Sequence, residues 1–168
     1  MRIAVAVASK HGATKEIGHA VVERLRELGH DVTEHDMAST SAEDLDEAEA
    51  LVLGGAVYFG RWPNEANDLV DDLADRVDGR PVWLFSSGPV APDGEPTSVE
   101  ESTIAIDGTM SALDAREHVM FGGRLDKTVL SFVERAVARA LRAPDADTRD
   151  WDTIRAWADH VDEALRAS

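Results

Sequence analysis

The chain has 168 residues, enough for one domain around one core, and 43% of them are hydrophobic, which excludes a disordered chain. It contains no cysteine, so disulfides, thiolate catalysis, thiolate-held zinc and cysteine-ligated iron–sulfur clusters are excluded, and any redox chemistry needs a bound organic cofactor. With 33 acidic against 17 basic residues the net charge is −16, the wrong sign for a nucleic-acid partner.

Arg2–Ala8 is a continuous apolar, partly β-branched run, the pattern of a strand buried on both faces. From Ala13 to Leu28 the apolar positions Ile17, Val21, Leu25 and Leu28 recur at helical spacing, and Gly29 ends the helix. Asp31–Met37 reads as a half-polar strand suited to a sheet edge, and the acidic stretch Ser39–Ala48 holds one short helix. Ala50–Val57 is another buried strand. Pro63 then marks a helix start, and Ala66, Leu69, Val70, Leu73, Ala74 and Val77 form an amphipathic stripe that Gly79 closes. Pro81–Ser86 is a strand and Ser87–Thr97, rich in glycine and proline, a loop. Ser98–Ala115 reads as a helix interrupted by Gly108, Glu117–Gly122 as a short strand, and Lys127–Arg142 as an amphipathic helix. After a polar connection at Ala143–Asp150, the last helix carries Ile154, Trp157, Ala158, Val161 and Leu165 on one face. Strands alternate with helices throughout, which predicts an α/β fold: one domain over residues 1–168, with a five-stranded parallel sheet covered by helices on both faces.

Chemistry concentrates at strand ends. Ser9, Lys10, His11, Gly12, Ala13 and Thr14 follow the first strand and open the first helix. An anion there meets backbone N–H groups and the positive end of the helix, with Ser9 and Thr14 adding hydroxyl donors. The six residues alone fit a phosphate cradle and an ordinary capped turn equally well. They are not a Walker loop, lacking the Gly-Lys-Ser/Thr tail, nor a dinucleotide fingerprint, lacking its three glycines. His19, His30, His35, His118 and His160 show no ligand spacing, so no metal site is expected.

SKHGAT resembles the phosphate loop of flavodoxins, where Ser or Thr, Gly and Thr surround the phosphate of FMN. Two later segments agree in order and position: Gly54–Gly60 after strand three, matching the loop beside the isoalloxazine ring, and Ser86–Val90 after strand four, matching the second flavin loop. The resemblance implies a flavodoxin-like three-layer sandwich with strand order 2-1-3-4-5 and FMN at the switch point. It implies cofactor contacts from the first loop together with Ala56, Val57, Tyr58, Phe59, Gly60, Ser86, Ser87, Gly88 and Pro89. Tyr58, the only tyrosine, is the candidate to stack on the ring, against a role as a rim anchor for its loop.

Within that superfamily the sequence is similar to the flavodoxin-type menaquinone-dependent protoporphyrinogen IX dehydrogenases. GGAVYFGRW, FGGRL at Phe121–Leu125 and DADTRDWDTIRAWA at Asp145–Ala158 carry this likeness over nearly the whole chain. It implies an FMN-dependent oxidoreductase acting on a porphyrinogen-like small molecule with a quinone acceptor. Arg61 and Arg124, at strand ends read as neighbouring, are the candidates to hold a propionate, against plain surface arginines. The family's inserted segment can be basic and aromatic; Lys127–Arg142 has Phe132 as its one aromatic, so peripheral membrane contact has slight support. Two alternatives remain open: an electron carrier that docks onto redox partner proteins, and a phosphate-binding domain without redox function.

No apolar run reaches membrane-spanning length and the N-terminus lacks a leader-type cleavage region, so a cytoplasmic protein is expected, at most peripheral to the inner face of the membrane. The acid excess fits either steering toward a basic partner or life in high salt. A basic set of mostly arginine, with lysine only at Lys10, Lys15 and Lys127, and acids spread along the whole chain favour the salt reading.

Overall fold

The computed structural model describes residues 1–57, 61–88, 99–125 and 146–167. Five parallel strands form one sheet in the order β2-β1-β3-β4-β5: β1 (Arg2–Ala8), β2 (Asp31–Asp36), β3 (Ala50–Ala56), β4 (Val82–Ser87) and β5 (Glu117–Phe121). The half-polar Asp31 segment is an edge, as its pattern predicts. Helices α1 (Ala13–Glu27), α2 (Asn64–Ala74), α3 (Val99–Ala112) and α4 (Trp151–Arg166) cover the sheet, and a short 3-10 helix (Ala42–Leu45) lies in the acidic stretch. This is the five-stranded parallel α/β sheet that the alternation of elements predicts, in the flavodoxin-like order that the resemblance implies.

The uninterrupted apolar runs follow from burial on both faces. Along β1, Ile3, Val5 and Val7 point into one core with Ile17, Val21 and Leu25 of α1 and Ile154, Trp157, Ala158 and Val161 of α4. Ala4, Ala6 and Ala8 point into the other core with Leu69, Val70 and Leu73 of α2 and Leu113. In the first core Phe85, Phe121 and Trp157 form a closed aromatic triangle with centroids 5.7–5.9 Å apart, two of its three pairs edge-on, the favoured geometry for such rings.

Helix ends match their sequence signals with small shifts. Gly29 takes a left-handed φ of 94°, and the amides of Gly29 and His30 bond back to the carbonyls of Arg26 and Leu25, closing α1. Pro63 is the residue before α2 rather than its first, and α2 stops at Ala74, so Val77 is buried from the following turn. Asp150 caps α4 by accepting from the amides of Asp152 and Thr153, both at 3.1 Å.

Two elements, the paired strands of a small ribbon, were not expected. In the reading of Ala143–Asp150 as a simple connection, β7 (Ala146–Asp147) is missing; it pairs antiparallel with β6 (Arg124–Leu125). Two-residue strands carry too little pattern to be seen in sequence. The expected helix at Lys127–Arg142 and most of the loop at Ser87–Thr97 lie outside the described residues.

Candidate functional site

Parallel register brings the ends of β1, β3 and β4 side by side: Ala8 pairs with Gly55, and Ala56 with Ser87. The chain segments beginning at Ser9, Val57 and Gly88 therefore leave the sheet at one edge, where open α/β sheets bind ligands. Val57 extends the pairing by donating its amide to the Ser87 carbonyl at 3.0 Å.

The first loop is built for an anion. Gly12 precedes α1 with φ +86°, a conformation that favours glycine, and a Cβ there meets no atom within 4 Å. It brings no side chain to cap the first turn, whose amides are those a helix leaves without a helical acceptor. Ser9 Oγ accepts from the Gly12 amide at 3.1 Å, which fixes the loop and leaves the Ser9 O–H to donate. Thr14 Oγ1 and the Ser87 hydroxyl lie 2.7 Å apart, and both residues are buried. Lys10 is exposed and His11 and Ala13 are half-buried around this opening. First-turn amides that the helix itself leaves without an acceptor, hydroxyls and an open glycine form a donor set that fits a phosphate.

The two serines of β4 divide between the faces, as neighbours on a strand must. Ser87 faces the first loop. The strand runs one residue past its expected end, to Ser87, and Ser86 within it faces the other way, apart from the first loop. Its Oγ accepts from Trp62 Nε1 at 2.8 Å and lies 2.9 Å from His118 Nε2 on β5. Since the indole only donates, the serine hydrogen is free to point at a neutral imidazole. Burial holds the His118 pKa below the usual histidine range, against the pull of the charges on Asp107 and Glu117, which agrees with that arrangement.

Gly54, Gly55 and Ala56 lie inside β3, as the strand reading of Ala50–Val57 has them, so the segment matched to the ring-side loop leaves the sheet only from Val57. The glycines make room for aromatic rings: a Cβ on Gly54 runs into the Phe85 ring, and one on Gly55 comes within 2.6 Å of the Trp62 indole. Trp62 is thus a buried, hydrogen-bonded part of the core and more than a staple for α2. The second glycine pair has the same logic in backbone. A Cβ on Gly122 strikes the Thr148 carbonyl and one on Gly123 the Gly88 carbonyl, while Gly88 N donates to Phe121 O at 2.9 Å and Thr148 N to Gly123 O at 2.9 Å.

Arg61 is exposed beyond β3. Arg124, beyond β5, lies with Nη1 3.7 Å from Glu16 Oε1 on α1. The two arginines do not follow neighbouring strands, because β4 stands between β3 and β5. Tyr58, Phe59, Gly60 and Pro89 lie outside the described residues.

The residue that sequence reasoning missed is Arg149. Its side chain is only 3% exposed. Nε and Nη2 grip the two oxygens of Asp147 at 2.8 and 2.6 Å, and Nη1 donates to Glu16 Oε2 at 2.6 Å and to the Ala13 carbonyl at 3.3 Å. The guanidinium lies over the ring of Trp151, 4.7 Å from its centroid, so Trp151 is a half-open platform and not a core residue. The TRDW stretch was the available signal, but its tie to α1 spans more than a hundred residues and has no local signature.

A family model described as flavodoxin domain matches residues 4–152. The chain belongs to the flavodoxin-domain family. Among solved structures it is similar to a flavodoxin of Streptococcus pneumoniae TIGR4, at 25% identity and TM-score 0.60 over 85% of this chain and 99% of that one. Flavodoxin 2 of Bacillus cereus is similar at 26% identity and TM-score 0.59 over 84% and 97% of the two chains. A short-chain flavodoxin associated with a non-canonical PDU bacterial microcompartment shares the fold at 22% identity and TM-score 0.62 over 86% and 99%. No curated protein sequence matches the chain. Among the described residues, no helix is long and apolar enough to cross a membrane.

Proposed function

We propose that this chain works as a single FMN-binding domain and an oxidoreductase, taking two electrons from a porphyrinogen-like substrate and passing them to a quinone. The observation that carries the FMN reading is the open, glycine-led start of α1 beside the Thr14–Ser87 pair, at the strand ends where this family's fold places a ligand. Bound FMN supplies reversible electron acceptance, chemistry that a chain without cysteine does not otherwise offer. The protein's share is binding and orientation. The first-turn amides, Ser9 and Thr14 hold the phosphate, the segments starting at Val57 and Gly88 flank the ring, and Tyr58 stacks on it. Arg61 and Arg124 offer forked donors to substrate propionates, and quinone access puts the protein at the inner membrane face.

The resemblance around Phe121–Leu125 and Asp145–Ala158 supports the dehydrogenase reading. The second reading is an electron carrier docking onto a redox protein, favoured by the flavodoxin neighbours and the net charge of −16. One experiment separates them. The purified protein is titrated with FMN under visible light spectroscopy, then given protoporphyrinogen without oxygen, followed by a quinone. Flavin bleaching by the porphyrinogen and recovery with the quinone are expected. Absence of a bound-flavin spectrum defeats both readings, and reduction only by a redox partner protein leaves the carrier.

A further inference from the structure

The charges behind the phosphate loop include a carboxylate close to where a dianion is to sit. Glu16 stands in the first turn of α1, so its carboxylate lies close to the helix end where the phosphate is to sit. On its own that charge opposes a second anion there by Coulomb repulsion. Two arginines answer it. Arg149 Nη1 donates to Glu16 Oε2 at 2.6 Å, and Arg124 Nη1 lies 3.7 Å from Glu16 Oε1. Arg149 is anchored from the far side by the Asp147 fork and reaches the first turn itself through the Ala13 carbonyl. The four side chains sum to zero, two cations against two carboxylates, and the neutralisation is fixed in place because Arg149 is almost entirely buried.

We infer that Arg149, seconded by Arg124, is a positioning residue for ligand choice: by neutralising Glu16 it lets the start of α1 accept a phosphorylated flavin, and so sets the preference for FMN over riboflavin. The inference rests on the FMN reading above. Arg149 acts through Glu16 and need not touch the phosphate. Removing the arginine frees the Glu16 charge, which weakens FMN and leaves riboflavin, lacking the phosphate, nearly unaffected. Removing both charges restores the balance.

The test measures dissociation constants for FMN and for riboflavin by flavin fluorescence in the full chain and in R149Q, E16Q, R149Q/E16Q and R124Q. A dianion beside one freed, partly screened charge predicts an FMN-to-riboflavin affinity ratio about tenfold lower in R149Q. The ratio is expected to return to within about twofold of the parent in R149Q/E16Q, and the R149Q deficit to shrink in molar KCl. A merely structural arginine lowers both affinities together and is not rescued by E16Q. An unchanged ratio in R149Q, or a lowered ratio that E16Q fails to restore, overturns the inference. Should R149Q not fold, R124Q decides: its side chain is 39% exposed, and a fall of about threefold in the same ratio is expected, with no fall overturning the inference. A parent protein that binds neither flavin overturns the FMN reading and this inference with it. A parent that binds both, with the ratio unmoved by the variants, overturns the inference alone.

Discussion

Thr14 and Ser87 face each other across the sheet edge with their hydroxyl oxygens 2.7 Å apart, joining the first turn of α1 to the last residue of β4. Thr14→Val keeps the shape and removes the hydroxyl, leaving the buried Ser87 oxygen without this partner. Stability is expected to fall by about 1–3 kcal/mol with the fold intact, and the FMN dissociation constant to rise about tenfold. Urea denaturation and fluorescence titration measure the two effects. An unchanged affinity would show that the phosphate sits elsewhere.

The glycines of β3 make a contrasting pair with Gly108. Gly54→Ala drives a methyl into the Phe85 ring, which the Phe121 and Trp157 rings hold in place, so a loss of roughly 1–3 kcal/mol or more is expected. Gly108→Ala adds a methyl where nothing lies within 4 Å, inside α3, and is expected to gain ~0.5–1 kcal/mol. Chemical denaturation of both variants checks the opposite signs.

His118 gives the protein a pH dependence of known sign. Burial lowers its pKa in the folded state below the ~6.5 of an unfolded chain, so on acidification the unfolded state takes up the proton first. Stability is therefore expected to fall as pH drops through about 6.5, and to level off below the folded-state pKa. Above that window the histidine is neutral in both states and contributes no slope. Among the described residues, the charged groups that act on it are Asp107 from α3 and Glu117 from its own strand, while β4 carries no charged residue. His118→Gln is expected to remove this slope between pH 7 and 5, and a slope that survives the substitution would assign it to other groups.

Salt tests the meaning of the acid excess. With a net charge of −16, screening of self-repulsion is expected to raise the melting temperature between dilute buffer and molar KCl. A rise of at least about 3 °C, the shift that ~1 kcal/mol produces in a chain of this size, supports adaptation to high salt. A flat response removes that reading and leaves partner steering.

What was legible in the sequence was whatever has a period or a local signature. The two-faced burial of β1 and β3, the stripe of α2 and the closing Gly29 all have one. The first loop has one only in part: its strand–glycine–helix order fits an anion site and a capped turn alike, and the left-handed Gly12 and the Thr14–Ser87 pair had to come from the structure. What was not legible depends on contacts distant in sequence. Ser86 and Ser87 look equivalent in a row of small polar residues, and only the pleat sends one to Thr14 and the other to Trp62 and His118. Arg61 and Arg124 look equivalent as strand-end cations, yet the sheet order separates them and turns Arg124 toward Glu16. Arg149 could not be placed because its partners come from α1 and from a two-residue strand.

The ribbon that pairs Arg124 with Asp147 has a consequence for how this chain can vary. It brings the polypeptide back to the point from which it left, so residues 126–145 begin and end side by side. A segment with closed ends behaves as an exchangeable cassette: its length and composition can drift without pulling on the sheet, because loop closure costs little more as length grows. A chimera carrying a tight turn between Leu125 and Ala146 is therefore expected to retain the folded sheet.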